Sequence, residues 1–136
     1  GIRVGFACAD PTIAAGIWKG KEHYNVSTLS QVAAEAALDD VDWMQSQAER
    51  VIQTRERLST QLTSRGFYVW DSQANFVLTR VPGGDAGQLY ENLRKNGYLV
   101  RYFGAQARLA DCLRISIGTD EEIDGLLETI DAVISS

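Results

Sequence analysis

Cysteine, histidine and lysine are scarce in this 136-residue chain, which holds two, one and three of them respectively. Cys8 and Cys112 form no Cys-x-x-Cys pair and keep no ligand spacing with His23, so neither a disulfide framework nor a zinc site is signalled. A reducing cytosol suits such cysteine usage. No apolar run approaches the roughly 18 residues of a membrane span, and the first residues lack the charged-then-apolar order of a signal peptide. Basic excess is also missing. A net charge of −5 argues against nucleic acid or an anionic membrane as partner, because both reward a basic face, so any anion site must be local. Internal repeats and low-complexity stretches are absent.

What is present suits a globular α/β protein: 45% hydrophobic and 23% charged residues, enough to bury a core without metal or disulfide staples. Residues 2–9 run apolar from the start, with no initiator methionine and no polar lead-in, which predicts a strand and hints at truncation. Such a strand without its neighbours predicts disorder at residues 2–8 or self-association through an exposed edge. Asp10-Pro11 predicts a helix start and Gly20 its end, and a second helix is predicted to begin near Ser27 or Thr28, where Thr28 and Gln31 have capping-box spacing.

Val41, Met44, Ala48, Val51, Ile52, Arg55, Leu58 and Leu62 recur every three or four residues, predicting a helix over 41–65 that Gly66 stops. At 1.5 Å per residue it spans roughly 37 Å, long for so small a protein, as a spine joining two parts would be. Strands are predicted around 67–70 and 75–79. A helix opened by Asp85 and Gln88 and closed by Gly97 follows, then two more strands, then a helix opened by Thr119 and Glu122. Trp18, Trp43 and Trp70 are expected in the core or at a contact with another domain. Asn75 is expected to be a turn residue whose amide ties the preceding loop, with a site residue as the alternative. His23 and the lysines, at Lys19, Lys21 and Lys95, carry no assigned role.

Two arginines stand out. Arg101 in Tyr98-Leu99-Val100-Arg101-Tyr102-Phe103 and Arg114 in Cys112-Leu113-Arg114-Ile115-Ser116 each interrupt an apolar strand. A guanidinium inside such a strand is costly unless something anionic meets it, and its planar fork of donors suits a carboxylate or phosphate. If the loop at 104–111 reverses the chain, strands about 4.8 Å apart bring both side chains to one place. The alternative is that each reaches a carboxylate such as Asp111 or Glu121. Arg3, beside Gly1 and Gly5, is a third candidate, and the alternative for it is a plain surface charge.

Taken in order, Gly1-Ile2-Arg3-Val4-Gly5-Phe6 with Asp10-Pro11, Tyr24-Asn25-Val26-Ser27, Ser72-Gln73-Ala74-Asn75-Phe76-Val77-Leu78, Leu99-Val100-Arg101-Tyr102-Phe103 and Cys112 to Thr119 resemble the C-terminal portion of the histidinol-phosphate aminotransferases. These are pyridoxal-phosphate enzymes of the aspartate-aminotransferase fold type. The likeness covers essentially the whole chain.

The resemblance implies an α/β fold with a short, mainly antiparallel sheet on helices. Residues 1–40 would be the end of a truncated large domain, 41–66 the interdomain helix, and 67–136 the small domain. It implies that Arg3 binds the phosphate of pyridoxal 5'-phosphate. Arg114, assisted by Arg101, would hold the anionic end of histidinol phosphate in one half-reaction and of glutamate or 2-oxoglutarate in the other. The Schiff-base lysine of the family falls just upstream of the position matching Arg3, so no catalytic residue is expected in this chain, and the 136 residues alone are expected to be inactive. The full-length protein would be a cytoplasmic homodimer. An aromatic amino-acid aminotransferase, a threonine-phosphate decarboxylase and a free-standing anion-binding module remain the alternatives.

Overall fold

The computed structural model describes residues 2–134. The chain divides into two compact units, Gly1–Ser46 and Gln47–Ser136.

The first unit holds an extended, unpaired segment at residues 2–10, helix α1 (Pro11–Gly20), helix α2 (Thr28–Leu38) and the first turn of helix α3 (Val41–Ser64). The strand expected at 2–9 is not formed. A strand exists only where a neighbour meets its N–H and C=O groups, and no ladder among the described residues includes this segment. Asp10 caps α1 as expected, its carboxylate accepting from the Thr12 N–H at 2.8 Å. The cap of α2 lies one residue before the Thr28 of the capping-box spacing. Ser27, extended at ψ 154°, accepts from the Ser30 N–H, while Gln31 turns back to the Val26 carbonyl. None of residues 2–46 is buried. Trp18 and Trp43, expected in the core or at a contact with another domain, are 72% and 62% exposed and so fill no core among the described residues.

The second unit carries the rest of α3 and a four-stranded antiparallel sheet in the order β1-β2-β4-β3. The strands are β1 (Tyr68–Val69), β2 (Phe76–Arg80), β3 (Arg101–Tyr102) and β4 (Cys112–Ser116). Helix α4 (Ala86–Lys95) lies between β2 and β3 in sequence, and α5 (Asp120–Ile134) ends the described chain. The sequence signals hold here. Gly66 and Gly97 take φ of 83° and 88°, a left-handed conformation that a Cβ disfavours, just past the ends of α3 and α4. Asp85 accepts from the Gln88 N–H, and Thr119 and Glu122 cap α5 reciprocally.

One face of the sheet meets the helices. Val77, Leu113 and Ile115 pack with Leu58 and Leu62 of α3, Leu89 and Leu93 of α4, and Ile123, Leu126, Leu127 and Ile130 of α5. Burying a side chain of this size contributes about 1.5–3 kcal/mol, so this cluster dominates the stability of the unit. Two ion-pair staples reinforce it at the surface: Arg57 joins α3 to Asp120 and Asp124, and Arg65 holds Asp131 at 2.6 Å.

Candidate anion site on the open face of the sheet

In β2 and β4 the core residues Val77, Thr79, Leu113 and Ile115 alternate with Phe76, Leu78, Arg114 and Ser116, which turn to the other face. Arg101 is paired with Arg114 across β3 and β4, so both guanidinium stems leave the sheet side by side on that open face. The expectation that the two strands are antiparallel neighbours holds. The expectation that these arginines are embedded in buried strand does not, because both are exposed. Strand alternation is the reason: the apolar neighbours point into the core and the arginines away from it.

Neither arginine reaches a carboxylate among the described residues, where the ion pairs belong to Arg57, Arg65, Arg80 and Arg94. Asp111, one of the two carboxylates named as alternative partners, is taken by Arg80, its Oδ2 lying 2.7 Å from Nε. Its carboxyl is held below the ordinary carboxylate range, first by the hydrogen bond from the Cys112 thiol and then by the Arg80 charge. Burial and that same carboxylate push the Cys112 thiol up to about 11.

In place of acids, the two arginines rest on aromatic rings. The Arg114 guanidinium carbon is 5.1 Å from the Phe76 ring centre and that of Arg101 is 5.8 Å from Phe103. Two like charges directly opposite one another on a sheet repel, at a cost of roughly 0.2–1 kcal/mol. An anion between them reverses the sign of that term, and the two forks offer it several donors.

Arg3 belongs to the other unit. It is exposed, and it is the one non-glycine residue with a left-handed φ, 57°, among the described residues. Backbone held in that region costs of order 1 kcal/mol or more and concentrates at ligand-binding positions. A Cβ on its neighbour Gly5 would meet no protein atom within 4 Å. Among the described residues no group of acids, cysteines and histidine could hold a metal, and no helix is long and apolar enough to cross a membrane.

Residues 1–130 match the family model "Aminotransferase class I and II". The chain belongs to that family. It is 41% identical over its whole length to histidinol-phosphate aminotransferase 1 of Nostoc sp. strain PCC 7120, of which it spans 38%. Among solved structures, histidinol-phosphate aminotransferase from Sinorhizobium meliloti, in complex with pyridoxal-5'-phosphate, superposes with a TM-score of 0.76 at 28% identity, covering 90% of this chain and 35% of that one. A protein from Erwinia carotovora atroseptica gives a TM-score of 0.85 over 98% of this chain and 38% of its own, at 22% identity, a likeness of fold. The family's fold is therefore the one expected, and the chain spans about two fifths of the length of these relatives.

Proposed function

We propose that this chain is the C-terminal portion of a pyridoxal-phosphate-dependent transaminase acting on histidinol phosphate, with glutamate and 2-oxoglutarate as donor and acceptor pair, in histidine biosynthesis. The observation that carries this reading is the Arg101–Arg114 pair: two exposed guanidinium groups in register, shelved on aromatic rings and without an internal acid. Membership of the family and the 41% identity to a histidinol-phosphate aminotransferase support it.

In this reading Arg114, with Arg101 beside it, binds and orients the anionic end of each substrate. A phosphate and a carboxylate both present paired oxygens to the same forks, so one site serves both half-reactions. Arg3, with its charged fork and constrained backbone, suits the cofactor's phosphate. When bound, pyridoxal phosphate supplies the electron sink that transamination requires. Residues 1–40 belong to the large domain, 41–66 form the helix between domains and 67–136 the small domain. The Schiff-base lysine lies outside these residues, the active form is a cytoplasmic homodimer, and the isolated chain is inactive.

Steady-state kinetics of the full-length protein test this reading. Arg114→Ala removes charge-assisted hydrogen bonds worth about 1.5–3 kcal/mol, so the KM values for histidinol phosphate and glutamate should both rise about 10- to 150-fold. Unchanged values would remove Arg114 from the site. Turnover of phenylalanine or threonine phosphate in preference to histidinol phosphate would replace the substrate with that of a related enzyme.

A further inference from the structure

Arg55 lies on the apolar stripe of α3 and is buried, 8% exposed, the one buried cation among the described residues. It reaches no carboxylate there. Its Nη1 donates instead to the Ala74 carbonyl at 3.0 Å. A buried guanidinium held by a neutral acceptor is a costly way to fill a helix stripe, since leucine would pack without losing hydration. What the arginine does that leucine cannot is fix the loop entering β2.

That loop is tied at several points. Ser72 Oγ accepts from the Ala74 N–H and donates to the Phe76 carbonyl at 2.6 Å, and the Asn75 carbonyl accepts from the Ile117 N–H at 2.9 Å. Arg55 adds a tie from helix α3. Two residues beyond Ala74 stands Phe76, whose ring carries the Arg114 guanidinium on the open face.

We propose that Arg55 is a positioning residue of the anion site: by pinning the Ala74 carbonyl it sets the Phe76 ring, and through that ring the direction of the Arg114 fork. It touches no substrate. This rests on the reading that Arg114 binds the anionic end of the substrate.

The test is kinetic, on the full-length protein, with Arg55→Met, Phe76→Leu, the double variant and Arg65→Met as a control that loses a surface staple away from the loop. A cation–ring contact at an exposed site is worth a factor of about 2–5, so Arg55→Met and Phe76→Leu should each raise the KM for histidinol phosphate by about that much. The value of kcat should stay within about twofold, because the same contact serves bound substrate and transition state alike. The double variant should be no worse than the worse single one, since both act through one ring, and Arg65→Met should lose stability without moving KM. Arg55→Gln, which keeps a donor but shortens its reach, is measured alongside so that the result rests on whichever variant folds. A wild-type KM in the folded Arg55 variant, or effects that multiply in the double variant, would overturn the proposal. If Arg114→Ala itself leaves KM unchanged, it is the functional reading that fails; a raised KM in Arg114→Ala with none in the Arg55 variants defeats this inference alone.

Discussion

The two units of the chain are written in the same local vocabulary and differ in what they bury. In Gly1–Ser46, Asp10 and Ser27 cap α1 and α2 correctly, yet no described side chain is buried, and Phe6, Ile17, Trp18 and Leu29 stand more than half exposed. In Gln47–Ser136 similar caps at Asp85 and Thr119 open helices whose apolar faces close over a sheet. Caps and spacing set where a helix begins. Packing sets whether it is stable, since helices of 10 and 11 residues, as α1 and α2 are, lie below the length at which isolated helices hold in water. The proposed place of residues 1–40 at the end of a larger domain accounts for apolar side chains that this chain leaves open.

Truncation of core residues should separate the units most. Leu62→Ala opens a cavity in the packed cluster and should cost about 2–5 kcal/mol in urea unfolding of the 136-residue chain. Leu29→Ala, 83% exposed in the wild type, should stay within about 0.5 kcal/mol. Equal effects would erase the distinction.

The two cysteines sharpen it, one in each unit. Cys8 is exposed, while Cys112 is buried with its thiol pushed up to about 11. Alkylation of the native chain at pH 8 should modify Cys8 and leave Cys112 slower by on the order of 10²-fold, with both reacting in denaturant. Equal native rates would show that the β4 region opens readily.

The smallest effect is the pH dependence of the second unit. The carboxyls of Asp120 and Asp131 lie below the ordinary aspartate range, chiefly through hydrogen bonds from Arg57 and Arg65, and that of Asp111 through Cys112 and then Arg80. A folded pKa below the unfolded one gives stability that is complete above about pH 3.9 and disappears as pH falls through the folded values. The raised Cys112 thiol works on the alkaline side, where stability falls as pH rises from about 8.5 toward about 11. Thermal melts should therefore weaken at both extremes. Asp131→Asn should flatten the acid limb slightly, and a wild-type acid limb in that variant would exclude the Arg65 pair as a contributor.

Much of this was legible from residues alone. Asp10, Asp85, Thr119 with Glu122, and Gly66 and Gly97 act within a turn of their own positions, so the helix ends could be read from spacing. The antiparallel neighbours Arg101 and Arg114 followed from a reversing loop. Residues 2–9 could not be read this way, because an apolar run says that a partner is wanted without supplying one. The exposure of the two arginines was hidden in alternation: Leu113 and Ile115 suggested burial of everything between them, whereas they bury only their own side of the strand. Arg55 was counted as one position of a helical stripe. The signal that could have singled it out was its charge, placed where every third or fourth neighbour is apolar. The chain bends at Asn75, and the side chain that ties the loop is Ser72, a hydroxyl two residues from one amide and four from a carbonyl.

The most direct measurement is a crystal structure of the full-length protein with histidinol phosphate bound. Phosphate oxygens should lie within hydrogen-bond distance of both Arg101 and Arg114, with the Arg114 guanidinium still over the Phe76 ring. A phosphate bound elsewhere, with the two guanidinium groups left to solvent, would contradict it.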